Sequence, residues 1–238
     1  MFDLSKRKVC FETKCWEKDW RPLLLTDRLE AMAKRNAYPF VERVLMINNV
    51  NDYNEVCFHA QKALEKGYIT RYLVVKDHAE ETLKFFGLTR EALGKGYFYS
   101  IAELVSIYLC QTEFLLHYSG DAIPARTVHW IEDAIELFDN DPRVRVANLA
   151  WSNRFDEVAN EAMEQIDIFF LGFGFSDQSY LIRASDFRSR IYTERHPASE
   201  RYPKYAGELF EKRVDSWMRN HHFLRATHRN ASYLHINF

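Results

Sequence analysis

Short apolar runs, each closed by polar or glycine-bearing residues, recur from residue 43 onward. In RVLMINNVND (43–52), Val44 to Ile47 are apolar and the run closes in Asn48-Asn49-Val50-Asn51-Asp52, which predicts a buried strand and a loop. YNEVCFHAQKALEKG (53–67) puts Val56, Ala60, Ala63 and Leu64 at helical spacing, with Gly67 as the stop. YITRYLVVKD (68–77) predicts a second strand, and HAEETLKFFGL (78–88) a helix ending at Gly87. GKGYFYS (94–100) predicts a short strand and IAELVSIYLCQ (101–111) a helix capped by Ser100. EFLLHY (113–118) reads as a strand, RTVHWIEDAIELFDND (126–141) as an amphipathic helix, and RVRVANLAW (143–151) as a strand.

Alternating strands and helices imply an α/β domain with a largely parallel sheet. Such sheets bind ligands at the carboxyl ends of their strands, here 48–52 and 117–124. After Trp151 the alternation loosens. Residues 157–189 predict one helix and two strands, 194–208 an irregular loop, and 208–222 a strong helix. The end, FLRATHRNASYLHINF, is strand-like without a clear period. Residues 1–40 carry Trp16, Trp20 and a helix near Asp27, and read as an N-terminal extension to one domain at 41–238.

Composition narrows the classes. The chain has 238 residues, 47% of them hydrophobic and 15% aromatic, enough for one sizeable core and against disorder. With 32 basic and 34 acidic residues the formal charge is −2, so no global basic field points to a nucleic-acid partner. Cys10, Cys15, Cys57 and Cys110 match no zinc spacing and predict free thiols in a reduced, cytoplasmic compartment. MFDLSKRKVCFETKCW lacks the apolar segment of a signal peptide, and no window approaches a membrane span. Any work at a membrane is then peripheral or through a partner.

No phosphate loop of the Gly-x-x-x-x-Gly-Lys-Ser/Thr kind, no Gly-x-Gly-x-x-Gly after a strand, and no Gly-x-Ser-x-Gly elbow occurs. Three groups carry candidate chemistry. Asp121 sits in a Ser-Gly-Asp turn just past a strand, where a carboxylate holds either local backbone amides or a hard cation. Glu208 and Glu211, in AGELFEKRVDSWM, stand at a helix start, where a carboxylate complements the helix dipole or acts as a general base. His221, His222, His228 and His235 cluster near the end, and imidazole is a ligand for Mn2+ as well as an ordinary polar side chain.

Taken together, these residues resemble the nucleotide-sugar-dependent glycosyltransferases of the GT-A type, near family 2. The order carries the likeness over residues 40–238: INNVNDYNEV (47–56), then LLHYSGDAIP, then AGELFEKRVDSW, then a C-terminal histidine. The resemblance implies a GT-A-like, Rossmann-like mixed sheet flanked by helices. It implies Mn2+ or Mg2+ held by Asp121 and by His235 or His228. Asn48, Asn49, Val50, Asn51, Asp77, Ser119 and Gly120 would contact the nucleotide-sugar donor. Glu208 would be the base on the acceptor hydroxyl, with Glu211 as the alternative. Asp177, Gln178 and Trp151 would contact the acceptor, and Tyr180 and Trp217 either stack on a sugar or pack in the core. The partners implied are a nucleotide sugar and a saccharide or lipid-linked acceptor, in polysaccharide biosynthesis, with inversion at the anomeric carbon. The family turn carries Asp-x-Asp, and Ser119 replaces its first Asp. Two other readings remain open: a non-catalytic binding or scaffold protein with this fold, and a sugar-phosphate nucleotidyltransferase. The second calls for a Gly-rich basic loop that INNVNDYNE does not offer.

Overall fold

The computed structural model describes residues 7–202 and 207–236. Ten strands form one sheet: β1 Val9–Cys15, β2 Glu42–Ile47, β3 Arg71–Val74, β4 Phe114–Tyr118, β5 Ala122–Pro124, β6 Val144–Trp151, β7 Glu164–Ile166, β8 Phe169–Gly172, β9 Ser179–Arg183 and β10 Leu224–His235. The helices are α1 Trp20–Leu24, α2 Arg28–Lys34, α3 Tyr53–Glu65, α4 Ala79–Phe86, α5 Arg90–Leu93, α6 Tyr97–Leu109, α7 Ile131–Asn140, α8 Phe155–Glu161, α9 Ala184–Phe187 and α10 Phe210–Asn220.

The strands run in the order β3-β2-β1-β4-β9-β6-β10-β8-β7, with β5 against β10. β3, β2, β1 and β4 are mutually parallel, as are β6 and β10, and β9 runs antiparallel between β4 and β6. This is the mixed, mostly parallel, helix-flanked sheet expected. Apolar side chains bury on both faces. On one, Phe11, Leu45, Phe114 and Leu116 meet Trp20, Met32, Val56 and Ile135 of α1, α2, α3 and α7, with Trp130 just before α7. On the other, Cys10, Met46, Leu115 and Ile182 meet Phe86, Leu104, Phe187, Phe210 and Met218 of α4, α6, α9 and α10. A strand covered on both faces reads as a continuous apolar run, which is why β2, β4 and β6 are legible in the sequence.

Several expectations change. Ser100 lies inside α6 rather than capping it, and residues 157–189 hold three strands rather than two. Residues 7–40 are no extension: β1 lies between β2 and β4, hydrogen bonded to both, so the domain cannot begin at 41. Residues 94–100 form no strand. Gly94–Gly96 is a 3-10 turn that leads into α6 at Tyr97. The Ser-Gly-Asp turn still follows the fourth strand, because the missed strand and the false one cancel. The loop at Asn48, however, follows the second strand, and the first-strand loop is Trp16–Asp19. Among the described residues no helix is long and apolar enough to cross a membrane.

Candidate functional site

The strand order reverses between β1 and β4. Chain leaves β1 toward β2 and β3 on one side and returns as β4 on the other, which opens a crevice at the carboxyl ends. A cleft of about 850 Å³ lies there. Lys14 to Glu17 and Asp19 line it from β1 and its loop, Asn48 and Asn49 from the end of β2, and Ser119 to Asp121 from the end of β4. Lys95 comes from the 3-10 turn before α6, Phe98 and Tyr99 from the first turn of α6, and Asp177, Gln178 and His235 from the far wall.

The turn after β4 is tightly built. Ser119 Oγ donates to Asp121 Oδ1 at 2.5 Å, and Asp121 Oδ2 lies 2.9 Å from His235 Nε2. His235 Nε2 also lies 3.2 Å from Gln178 Nε2, while the Ser119 amide donates to the Gln178 carbonyl at 2.9 Å. β10 carries His235 to this position by pairing with Ala122 of β5. Asp121 and His235, far apart in sequence, thus form a carboxylate–imidazole pair on the cleft wall. Among the described residues no group of three or more His, Cys, Asp or Glu side chains is placed to hold a metal ion. A divalent cation here would complete its shell with substrate phosphate oxygens and water, as Mg2+ commonly does.

Gly120 permits the turn to press against β1. A Cβ there would lie 2.6 Å from the Lys14 carbonyl oxygen and 2.7 Å from Asp19 Oδ2. Gly120→Ala is therefore expected to push the turn off the β1 loop and lower the melting temperature, read by calorimetry. An unchanged melting temperature would show that the loop yields freely. Asp19 itself is buried. Burial pushes its carboxyl up to about 7, against the Trp16 amide that donates to it, and the charge of Asp121 adds to the rise.

Below the cleft floor lies a buried charged layer. Glu12 and His117, paired in register across β1 and β4, meet at 2.5 Å, and the His117 ring stacks on Tyr180. Lys14 bonds Glu103 of α6, whose side chain is fully buried. Burial lowers the Lys14 pKa, but the charges of Glu103 and Asp177 more than reverse this and leave it above the usual range.

A second cavity, of about 470 Å³, adjoins the first and shares Asp177, Gln178 and His235 with it. Trp151 and Glu211 line it. Glu211 stands in the first turn of α10, and burial beside the charge of Asp177 pushes its carboxyl up to about 9.

The structure separates the sequence candidates. Asn48, Asn49, Ser119, Gly120, Asp121 and His235 come together in the cleft, Asp177 and Gln178 lie where the two cavities join, and Trp151 and Glu211 lie in the second. The rest lie elsewhere. Val50 is buried in the core, Asn51 is exposed with its amide bonded to Glu17, and Asp77 is exposed at the end of a 3-10 turn after β3. Glu208 precedes α10 and pairs with Lys212 at 3.1 Å, outside both cavities. His228 is buried against Phe169, and its Nδ1 accepts the amides of Asn230 and Ala231 in the β10 irregularity. Burial drops its pKa to about 4. His221 pairs with Glu194 on an exposed helix end, and His222 is exposed beside it. Tyr180 and Trp217 are core residues. Sequence reasoning missed Lys14, Trp16, Glu17 and Asp19. The available signal was the apolar start and polar end of VCFETKCWEKD, which is a strand and its loop.

No family model matches the sequence, and no curated protein matches it. Among solved structures, a mycobacterial protein is similar at 11% identity and a TM-score of 0.52, over 99% of this chain and 71% of that one. Glucosyl-3-phosphoglycerate synthase from Mycobacterium tuberculosis, solved with Mg2+ and UDP, is 10% identical with a TM-score of 0.49, over 98% of this chain and 73% of that one. The same enzyme with Mn2+, UDP and phosphoglyceric acid is 12% identical with a TM-score of 0.46, over 95% of this chain and 72% of that one. At such identities the first of these likenesses is one of fold, and it runs through β1.

Proposed function

We propose that this chain is a glycosyltransferase that moves a sugar from a nucleoside-diphosphate sugar to an acceptor hydroxyl, with inversion and with help from a divalent metal. The observation that carries the reading is the Asp121–His235 pair, 2.9 Å apart, at a strand-end crevice that opens into a second cavity containing Glu211. Asp121 and His235 would hold Mn2+ or Mg2+, which when bound supplies positive charge to the departing diphosphate. Asn48, Asn49 and the β1 loop shape the nucleotide end. The acceptor lies in the second cavity beside Trp151, Asp177 and Gln178.

The reaction is a single displacement. The acceptor oxygen bonds to the anomeric carbon, the bond from that carbon to the diphosphate oxygen breaks, and its electron pair leaves with the nucleoside diphosphate. The acceptor proton passes to the Glu211 carboxylate. Glu211 suits this role better than Glu208, whose carboxylate is engaged by Lys212 outside the cavity. The four cysteines are free thiols, which favours a reducing, cytoplasmic setting.

The test is a calorimetric titration with UDP and with GDP, each with and without Mn2+, on the wild type and Asp121→Ala. We expect one nucleotide to bind in a Mn2+-dependent way and to lose that dependence in the variant. No nucleotide binding under any condition would sink the reading. One observation favours a second reading, a binding protein without turnover: Ser119 occupies one Asp121 oxygen and leaves the turn one carboxylate short. Nucleotide binding with no transfer from any donor would select it.

A further inference from the structure

The second cavity contains a pair of arginines that the proposed reaction has not used. Arg225 comes from β10, and Arg201 from the 3-10 turn Pro197–Arg201. Both reach over Gly174. A Cβ at that glycine would lie 3.0 Å from Arg201 Nη2 and 3.0 Å from Arg225 Nη1, so the two guanidinium groups converge on one point.

Neither is closely neutralised. Arg225 pairs with Glu161 at 3.7 Å, and Arg201 with Asp215 at 3.6 Å, both beyond hydrogen-bond reach. Arg225 is only 7% exposed, and its Nε is buried without a hydrogen-bond partner. Burying a guanidinium nitrogen unpaired, with a second cation beside it, is costly unless something anionic completes the site. Burial lowers the Arg225 pKa, and the charge of Arg201 adds to the effect. The cavity holds carboxylates too, but Asp177 lies at the other end, where it joins the donor cleft, and the Asp177 amide bonds Glu211. One end of the cavity thus offers two converging forks of N–H donors, and the other offers a base.

We propose that Arg201 and Arg225 bind an oxyanion of the acceptor, a phosphate or a carboxylate, and so present its hydroxyl to Glu211. The proposal rests on the glycosyltransferase reading for the identity of the ligand as acceptor, but not for the anion site itself. Paired guanidinium groups match the oxygen spacing of both anions. The acceptor is then a small hydroxylated anion rather than a neutral saccharide end.

The test is a titration of the full chain with inorganic phosphate, with the donor cleft filled by UDP and Mg2+. It is followed by the 15N–1H signals of the arginine Nε groups. We expect a saturable shift of the Arg225 signal, and an affinity about tenfold or more weaker in Arg201→Gln. Arg201 has 46% of its side chain exposed, so that variant tests the site even where a variant of buried Arg225 would not fold. UDP affinity should not change in Arg201→Gln. A parallel titration with acetate separates the two sources: equal affinity assigns a carboxylate, weaker affinity a phosphate. No saturable shift, phosphate binding abolished by UDP, or an unchanged affinity in Arg201→Gln would each overturn the proposal. UDP binding with no anion binding sinks this inference alone, whereas anion binding with no nucleotide binding leaves the site standing and sinks the donor reading.

Discussion

Glu211→Gln is expected to lower kcat for sugar transfer by about 10²–10⁴-fold, the usual worth of a positioned general base, and to leave metal-dependent nucleotide binding near the wild-type value. Transfer would be measured with the nucleotide sugar that the titrations select. The carboxyl must be ionised to take a proton, and burial beside Asp177 holds it at about 9. Wild-type kcat should therefore rise with pH toward that value, and the residual rate of the variant should lack that limb. The stability consequence has the opposite sense. The folded-state pKa lies above the ordinary carboxyl value, so the folded protein keeps the proton through the window from about 4.5 to about 9. Stability is full below that window and falls as pH rises through it. Glutamine imitates the protonated acid. The variant should melt higher than the wild type at pH 8 and equally at pH 4. A variant that transfers sugar at the wild-type rate would remove Glu211 from the mechanism and return the role to Glu208 or Asp177.

Lys14→Met is expected to destabilise the fold by about 3–5 kcal/mol in urea unfolding, because it leaves Glu103 as a buried charge without its cation. Glu103 comes from a helix packed on the sheet face; the other basic group that acts on it, His117, is already engaged by Glu12, and Asp177 lies near enough to repel Glu103. The double variant Lys14→Met/Glu103→Leu removes both charges and should recover most of the loss, since a buried ion pair is often no more stable than a well-packed apolar pair. A single variant within about 1 kcal/mol of wild type would mean that water or a neighbouring group already solvates Glu103. Recovery in the double variant without recovery of nucleotide binding would locate the function of Lys14 in the cleft it lines.

Much of the cleft was legible because its residues sit where strand ends must place them. The apolar run Phe114–Tyr118 ends at a Ser-Gly-Asp turn, and a strand buried on both faces can hand its next residues only to the edge of the sheet. That pattern marked the strand-end stretches 48–52 and 117–124, and the resemblance to the glycosyltransferases singled out Asp121, Ser119, Gly120, Asn48 and Asn49 within them. β1 did not. Its sequence, VCFETKC, carries Glu12 and Lys14 into the centre of the sheet, and a central strand with two charges does not read as one. The charges are tolerated because His117 and Glu103, about a hundred residues away along the chain, arrive to pair with them.

The local chain determined the alternation of apolar strands and amphipathic helices, and with it the α/β class and the strand-end location of the acidic turn, because periodicity and turn chemistry act over a few residues. Only the tertiary structure decided which histidine meets Asp121, which glutamate reaches the cavity, and which arginines converge. His235 and His228 lie on the same strand. Pairing with β5 brings the first to the cleft, while the strand irregularity turns the second into the core. Glu208 and Glu211 lie within one turn of each other, and the start of α10 at Phe210 leaves one outside and carries the other in. Contacts of this kind depend on register and on the angle at which an element docks, and no short stretch of sequence contains either.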